Sequence, residues 1–313
     1  MPKKTSLNVE DYIVPLNMNG LEGNMLHIPA PKDRENCHIL FIYGHHSTLE
    51  RWWGLAQVFN EYGDVTAPDL PGFGGMESFY KIGKKPSLDS MADYLASFVK
   101  WRYKHKKVVI VGLSYGFLVV TRMLQRYPEL IKKVDFLISA VGFSHYDDFV
   151  FTKTRMRAYR LGTKLFTYRP MAFLFRAIAL NPKVLRKSYA KTYTAREKFR
   201  GADAELAEKL MRMELTLWHT NDVRTHMYTN HDMLTVDNCQ KQVDMTVWHV
   251  SAGNDQYFDA HRVEQHLRVI FSDVELATNH GVRHTPSVIA DVKESAQFVP
   301  QKLRKVLRAA SKR

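Results

Sequence analysis

Ser114 stands at the centre of Gly112-Leu113-Ser114-Tyr115-Gly116, and its surroundings define what it could do. The apolar run Val108–Val111 leads straight into the first glycine, and residues 115–127 carry the apolar spacing of a helix. On a strand-to-helix turn this tight, the serine hydroxyl is held outward and the flanking positions must be glycine. The start of the following helix also aims backbone N–H groups at the atom the serine would attack. The plainer reading is a glycine-rich turn with a surface serine; the strand before it and the helix after it favour the chemical one. A serine hydroxyl is a weak nucleophile at neutral pH, so the arrangement calls for a base and for a third group that fixes the tautomer of that base.

Candidates for both partners lie downstream. A strand-like run, Met245–Val250, is followed by Ser251-Ala252-Gly253-Asn254-Asp255, which puts Asp255 at the ligand-binding edge of a parallel sheet. Asp148, after the preceding strand, is a second candidate acid. Two histidines compete for the base in Asn279-His280-Gly281-Val282-Arg283-His284-Thr285-Pro286. His284 is favoured because it stands just before a closing helix, whose first turn suits Pro286.

The elements that must position these groups alternate between short apolar strands and helical patterns, the rhythm of a parallel sheet with crossover helices. Strands are expected at Ile39–Tyr43, Val65–Ala67, Val108–Val111, Val134–Ser139 and Met245–Val250, several of them apolar on both sides of the pleat. The first 30 residues suggest a leading hairpin, and Ser87 caps a helix with Met91, Tyr94, Leu95, Phe98 and Val99 on one face. Pro128 should stop the helix after the serine, and one closing helix is expected from about 287 to 308. Between about 143 and 240 the strand signal gives way to aromatic, Met and basic residues at helical spacing. The expected class is therefore α/β: a mostly parallel central sheet with helices on both faces. Residues 1–142 and 241–313 would form the core, and 143–240 an inserted helical cap.

Taken together, five ordered blocks resemble the α/β-hydrolase family: Tyr43-Gly44-His45-His46, Asp69-Leu70-Pro71-Gly72-Phe73-Gly74, Gly112-Leu113-Ser114-Tyr115-Gly116, Gly253-Asn254-Asp255 and His284-Thr285-Pro286. The resemblance spans nearly the whole chain. It implies the triad order Ser114, Asp255, His284, an oxyanion hole from the backbone N–H groups of His45 and Tyr115, and cleavage of a carboxylic ester through an acyl-enzyme on Ser114. A serine nucleophile argues against the epoxide-hydrolase and dehalogenase branches, which resemble this pattern but use Asp there. Tyr43 replaces the usual His of the first block, and Phe117 stands where many members carry a small residue; it would narrow the approach to the sheet or pack beneath it. The alternatives from other classes are a hydrolase-fold binding protein with little turnover and a membrane-surface protein that docks through the basic cap.

Charge adds a second theme. The chain carries a net charge of +13, and residues 151–200 hold 14 Lys or Arg against one acid, Glu197. All of the excess lies in that segment. Interleaved apolar residues from Met156 to Phe175 give it the composition of an amphipathic surface, so anionic membrane docking or steering of an anionic substrate competes with a merely solvated face. No recognised nucleic-acid module accompanies the charge, and nucleic-acid binding is not expected. His219, His226 and His231 are read as polar cap surface, since their spacing does not suit a metal. No metal or cofactor is expected, and the partners are a small acyl ester and an anionic membrane surface. With two cysteines, Cys37 and Cys239, no signal-like N-terminus and no apolar run of membrane-spanning length, the sequence reads as cytoplasmic, with peripheral membrane attachment as the second possibility.

Overall fold

The computed structural model describes residues 8–191, 204–279, 284 and 290–312. Eight strands form one sheet: β1 (Ile13–Met18), β2 (Leu21–Ile28), β3 (His38–Ile42), β4 (Asp64–Pro68), β5 (Val108–Leu113), β6 (Val134–Ala140), β7 (Val243–Ala252) and β8 (Phe271–Asn279), in the order β1-β2-β4-β3-β5-β6-β7-β8. From β4 to β8 every pairing is parallel; β2 pairs antiparallel with both β1 and β4. Asn19 and Gly20 both have positive φ and join β1 to β2 through a two-residue turn, which is how an Asn-Gly pair closes a hairpin. Pro15 lacks an N–H and sits on β1, at the edge of the sheet. The central β5 is buried along its whole length, because helices cover both faces.

Those helices are α1 (Trp53–Asn60), α2 (Leu88–Arg102), α3 (Tyr115–Arg126), α9 (Ala260–Ile270), α10 (Val292–Ala296) and α11 (Gln301–Ala310). Ser87 caps α2 by accepting from Ser90 N, and the expected stripe from Met91 to Val99 is buried. α3 ends at Arg126, and Pro128 opens a short 3₁₀ turn. The chain's end differs from the single closing helix expected: the described part is two helices, broken where Pro300 caps α11. β8 was also not among the expected strands. Its sequence, FSDVELATN, carries polar and charged residues that suit one half-exposed edge of the sheet, so a purely apolar strand pattern does not reveal it.

Between β6 and β7 the described chain is helical: α4 (Lys153–Phe166), α5 (Arg169–Ile178), α6 (Pro182–Lys191), α7 (Ala204–Thr220) and α8 (Val223–Met233). The chain leaves and rejoins the sheet side by side, through an isolated bridge between His145 and Asp237. α8 returns to the core at Asp232, whose Oδ2 accepts from Leu88 N at the start of α2 (2.7 Å). No described helix is long and apolar enough to cross a membrane, and both cysteines are free thiols.

Candidate active site

β3 and β5 are neighbours, but the chain passes from β3 to β4 on one side before returning to β5 on the other. A crevice opens at such a reversal, beyond the carboxyl ends of the strands. The candidate residues gather at that edge: His45 after β3, Ser114 after β5, Asp255 after β7 and His284 after β8.

Ser114 has φ 49° and ψ −116°, a backbone conformation that non-glycine residues rarely adopt and that costs on the order of 1–3 kcal/mol. The close packing of its neighbours holds it there. A Cβ on Gly112 would lie 2.6 Å from Phe117 Cα, and one on Gly116 would lie 2.2 Å from Ile42 O. Both glycines are thus required by close approach, which explains the G-x-S-x-G spacing in this chain. Phe117 is fully buried against Phe271 at the start of β8; it packs beneath the site and does not narrow the approach to it.

His284 Nε2 lies 3.1 Å from Ser114 Oγ, and His284 Nδ1 lies 2.7 Å from Asp255 Oδ2. The other oxygen of Asp255 accepts from Tyr257 N (2.8 Å) and Phe258 N (3.2 Å), so the loop backbone fixes the carboxylate's direction. The Tyr257 and Phe258 rings flank the imidazole, with centroids 5.1 and 5.3 Å away. Ser114, His284 and Asp255 therefore form one continuous line of hydrogen bonds. The second candidate acid is engaged elsewhere: Asp148 is fully buried, takes the N–H groups of Ser144 and His145 on Oδ2, and meets His266 Nδ1 at 2.5 Å through Oδ1. His280 lies outside the described residues, as do Thr285 and Pro286.

The backbone N–H groups of His45 and Tyr115 have no protein acceptor among the described residues. Tyr115 is the first residue of α3, where an N–H lacks a partner within the helix. Tyr43, in place of the usual His, links the base of this loop to the second block. Its hydroxyl donates to Asp69 Oδ1 (2.6 Å) and accepts from Leu70 N (3.1 Å). Burial pushes the Asp69 carboxyl well above the usual carboxylate range.

The helical insertion contributes residues that the sequence did not reveal. His45 Nε2 meets Thr229 Oγ1 on α8 at 2.8 Å, and the same hydroxyl donates to Thr225 O at 2.8 Å. With the threonine proton directed at that carbonyl, the hydroxyl oxygen is placed to accept from His45 Nε2. Burial lowers the His45 pKa to about 3, so its ring stays neutral beside the N–H pair. His226, expected on the polar cap surface, is instead buried: its ring packs at a tilt or edge-on against His45 (4.4 Å), His46 (4.7 Å) and Trp218 (4.7 Å). His219 is exposed, and His231 is half-buried against Arg160 O. Asn221, at the α7–α8 corner, meets His46 Nδ1 at 3.2 Å and accepts from Gly74 N at 2.9 Å, bridging two of the five blocks. In sequence, Asn221-Asp222 signals only a helix start, and Asp222 does cap α8 through Thr225 N.

The chain belongs to the alpha/beta hydrolase fold family, whose model matches residues 38–233. Human Protein ABHD8 is 30% identical over 117 residues, covering 35% of this chain and 26% of that protein, so the match spans about a quarter of the relative's length. The esterase EaEST from Exiguobacterium antarcticum shares the fold at a TM-score of 0.65 and 16% identity, over 93% of this chain and 97% of that one. An epoxide hydrolase from Bacillus megaterium shares it at 0.62 and 15% identity, over 96% and 100%. Hydrolases of different chemistry thus share this fold, and the choice among them rests on the site.

Proposed function

We propose that this protein is a serine hydrolase that cleaves a carboxylic ester through an acyl-enzyme on Ser114. The observation that carries the reading is the line from Ser114 Oγ through His284 to Asp255, on a backbone strained as a nucleophile elbow. In the reaction, Ser114 Oγ attacks the ester carbonyl while His284 Nε2 takes its proton. Asp255 holds the proton on Nδ1 and stabilises the imidazolium that forms. The N–H groups of His45 and Tyr115 receive the developing oxyanion. His284 then protonates the leaving alcohol, and water repeats the sequence to release the acid. Epoxide opening in this fold would call for a carboxylate at the position Ser114 occupies, so the hydroxyl supports acyl transfer. We further assign residues 143–240 as a cap, because α7 and α8 cover the oxyanion loop from outside the sheet.

Labelling by a fluorophosphonate tests this directly, because the probe reacts only with an activated serine. Ser114 should be labelled, and Ser114→Ala should lose both labelling and turnover of a small ester while unfolding as the parent does. A correctly folded parent that is neither labelled nor active would favour a binding protein on a hydrolase scaffold. Labelling of another serine would move the nucleophile.

A further inference from the structure

α5 is apolar on two opposite faces, and the described residues cover only one of them. Its inner face is Ala172 and Phe175, packed on Val223 and Met227 of α8. Its outer face is Pro170, Phe173, Leu174, Ala177 and Ile178, at helical spacing and all exposed: Phe173 is 70% and Ile178 64% accessible. α4 repeats the design. Its inner side packs along α8, while Ala158, Leu161 (72% accessible), Leu165 and, just beyond it, Tyr168 form an outer stripe. Of the 14 exposed large hydrophobic residues described, eight fall between Tyr159 and Val184. A helix apolar all round is ordinarily buried all round, so a concentration of this kind marks a surface that something covers.

The flanking charge identifies the chemistry of the cover. α4, α5 and α6 contain no Asp or Glu. Arg155, Arg157 and Lys164 border the α4 stripe, and Arg169 and Arg176 border that of α5. Arg157, Lys164 and Arg169 make no ion pair among the described residues. Aliphatic stripes rimmed by cations suit a lipid interface: the apolar side chains enter the acyl boundary and the basic ones extend to the headgroups. A nucleic acid would account for the charge but not for Leu161, Leu165, Leu174 and Ile178, on which bases do not stack.

We infer that the outer face of the α4–α5 pair docks on an anionic lipid bilayer. The surface lies close to the candidate site. Behind α5, Phe175 meets Trp218 at 6.3 Å, and Trp218 and His226 carry the packing to His45. Docking would place the oxyanion loop a few side chains from the lipid. This binding does not require turnover, so it is testable apart from the hydrolase reading.

The test uses full-length protein carrying Ser114→Ala, sedimented with phosphatidylcholine vesicles and with vesicles that also contain phosphatidylserine. Binding should require phosphatidylserine and weaken as salt shortens the Debye length below about 8 Å. Each basic residue at an anionic surface contributes about 1 kcal/mol, about fivefold, so the triple variant R157E/K164E/R169E should bind about a hundredfold more weakly. The triple variant L161S/F173S/I178S should bind at least about tenfold more weakly, with thermal unfolding unchanged because all three side chains are exposed. In the Ser114 background, both triple variants should keep the parent's turnover of a small soluble ester. No binding to either vesicle, equal binding to both, or binding that survives the apolar substitutions would overturn the inference. Docking intact while the parent protein, with Ser114 in place, takes no label would instead remove only the hydrolase reading.

Discussion

Thr229→Val isolates the hold that the helical insertion has on the oxyanion loop. Valine keeps the shape of threonine and removes one oxygen, the acceptor for the His45 Nε2–H at 2.8 Å. Thr225 O keeps an acceptor role within α8, since the backbone N–H of Thr229 lies one turn further on. Among the described residues the imidazole then keeps only the backbone carbonyl of His226 as an acceptor, and losing the threonine oxygen in a buried site costs about 1 kcal/mol or more. That cost can appear in two places. If His45 stays where it is, the midpoint of urea unfolding falls by the full amount. If the ring turns to find another acceptor, its backbone turns with it, and loss of one oxyanion donor costs about 10²–10³ in kcat. The expected result is a loss of stability of that size together with at least about a tenfold fall in kcat/KM for a small neutral ester. Thr229→Ser retains the oxygen and loses a methyl group, worth about 0.8 kcal/mol, and should turn over as the parent does. The reasoning fails if the valine variant matches the parent within about 0.5 kcal/mol and in rate, or if serine loses as much rate as valine.

Asp255→Asn should lower turnover about 10⁴-fold with the fold retained, because the amide favours the wrong tautomer of His284. Asp148→Asn should act the other way: destabilisation of about 1–3 kcal/mol around Ser144, His145 and His266, with turnover per folded molecule unchanged. The reverse ranking, in a kinetic and unfolding comparison of the two, would exchange the roles assigned to these carboxylates. Acid should destabilise the fold. Burial lowers His45 to about 3 and His249 to about 4, and takes His226 well below its ordinary value. The unfolded chain therefore binds protons at these sites between about pH 6.5 and 4 while the native state does not. Their contribution is fully present above about pH 6.5 and is lost as pH falls, by about 1.4 kcal/mol per histidine per unit. Urea unfolding across that range should show the slope, and His249→Gln should reduce it by one proton; an unchanged slope would contradict the assignment.

Local rules made much of the fold readable. Asn19-Gly20 fixed the hairpin, because few other pairs take positive φ twice in succession at low cost. Ser87, Pro128 and the stripe from Met91 to Val99 set α2 and α3 by capping, ring geometry and periodicity, none of which needs knowledge of distant residues. Ser114 and Asp255 were readable for a related reason: each follows an expected strand, and ends of parallel strands converge on one edge whatever the helices do. His284 was chosen by its place before an expected closing helix, because β8, the strand it follows, was not among those expected. The choice between Asp255 and Asp148 was different in kind. Both follow a strand and both are acids, and the distinction lies in Asp148 meeting His266 from α9, a contact across 118 residues.

The same argument explains why the insertion's part in the site was hidden. Thr229, His226, Trp218 and Asn221 act across the fold, on a loop 175 to 184 residues earlier in the chain where they bond to it, and their own spacing describes only helices α7 and α8. In sequence, three histidines between two polar helix ends read as a solvated surface, since neither period nor cap says which face a helix turns inward. The outer faces of α4 and α5 posed the opposite problem. Their leucines and phenylalanines read as a core stripe or a lipid stripe with equal ease, because hydrophobic periodicity reports that a face is apolar and not what covers it. The covered face of α5 differs from the open one by its neighbours alone: Ala172 and Phe175 meet α8, whereas Phe173 and Ile178 stand mostly exposed. A helix with both faces apolar and cations along its flanks is therefore best placed between a protein layer and a lipid one. On the docking proposed above, the insertion would be both the roof over the oxyanion loop and the surface that faces the bilayer.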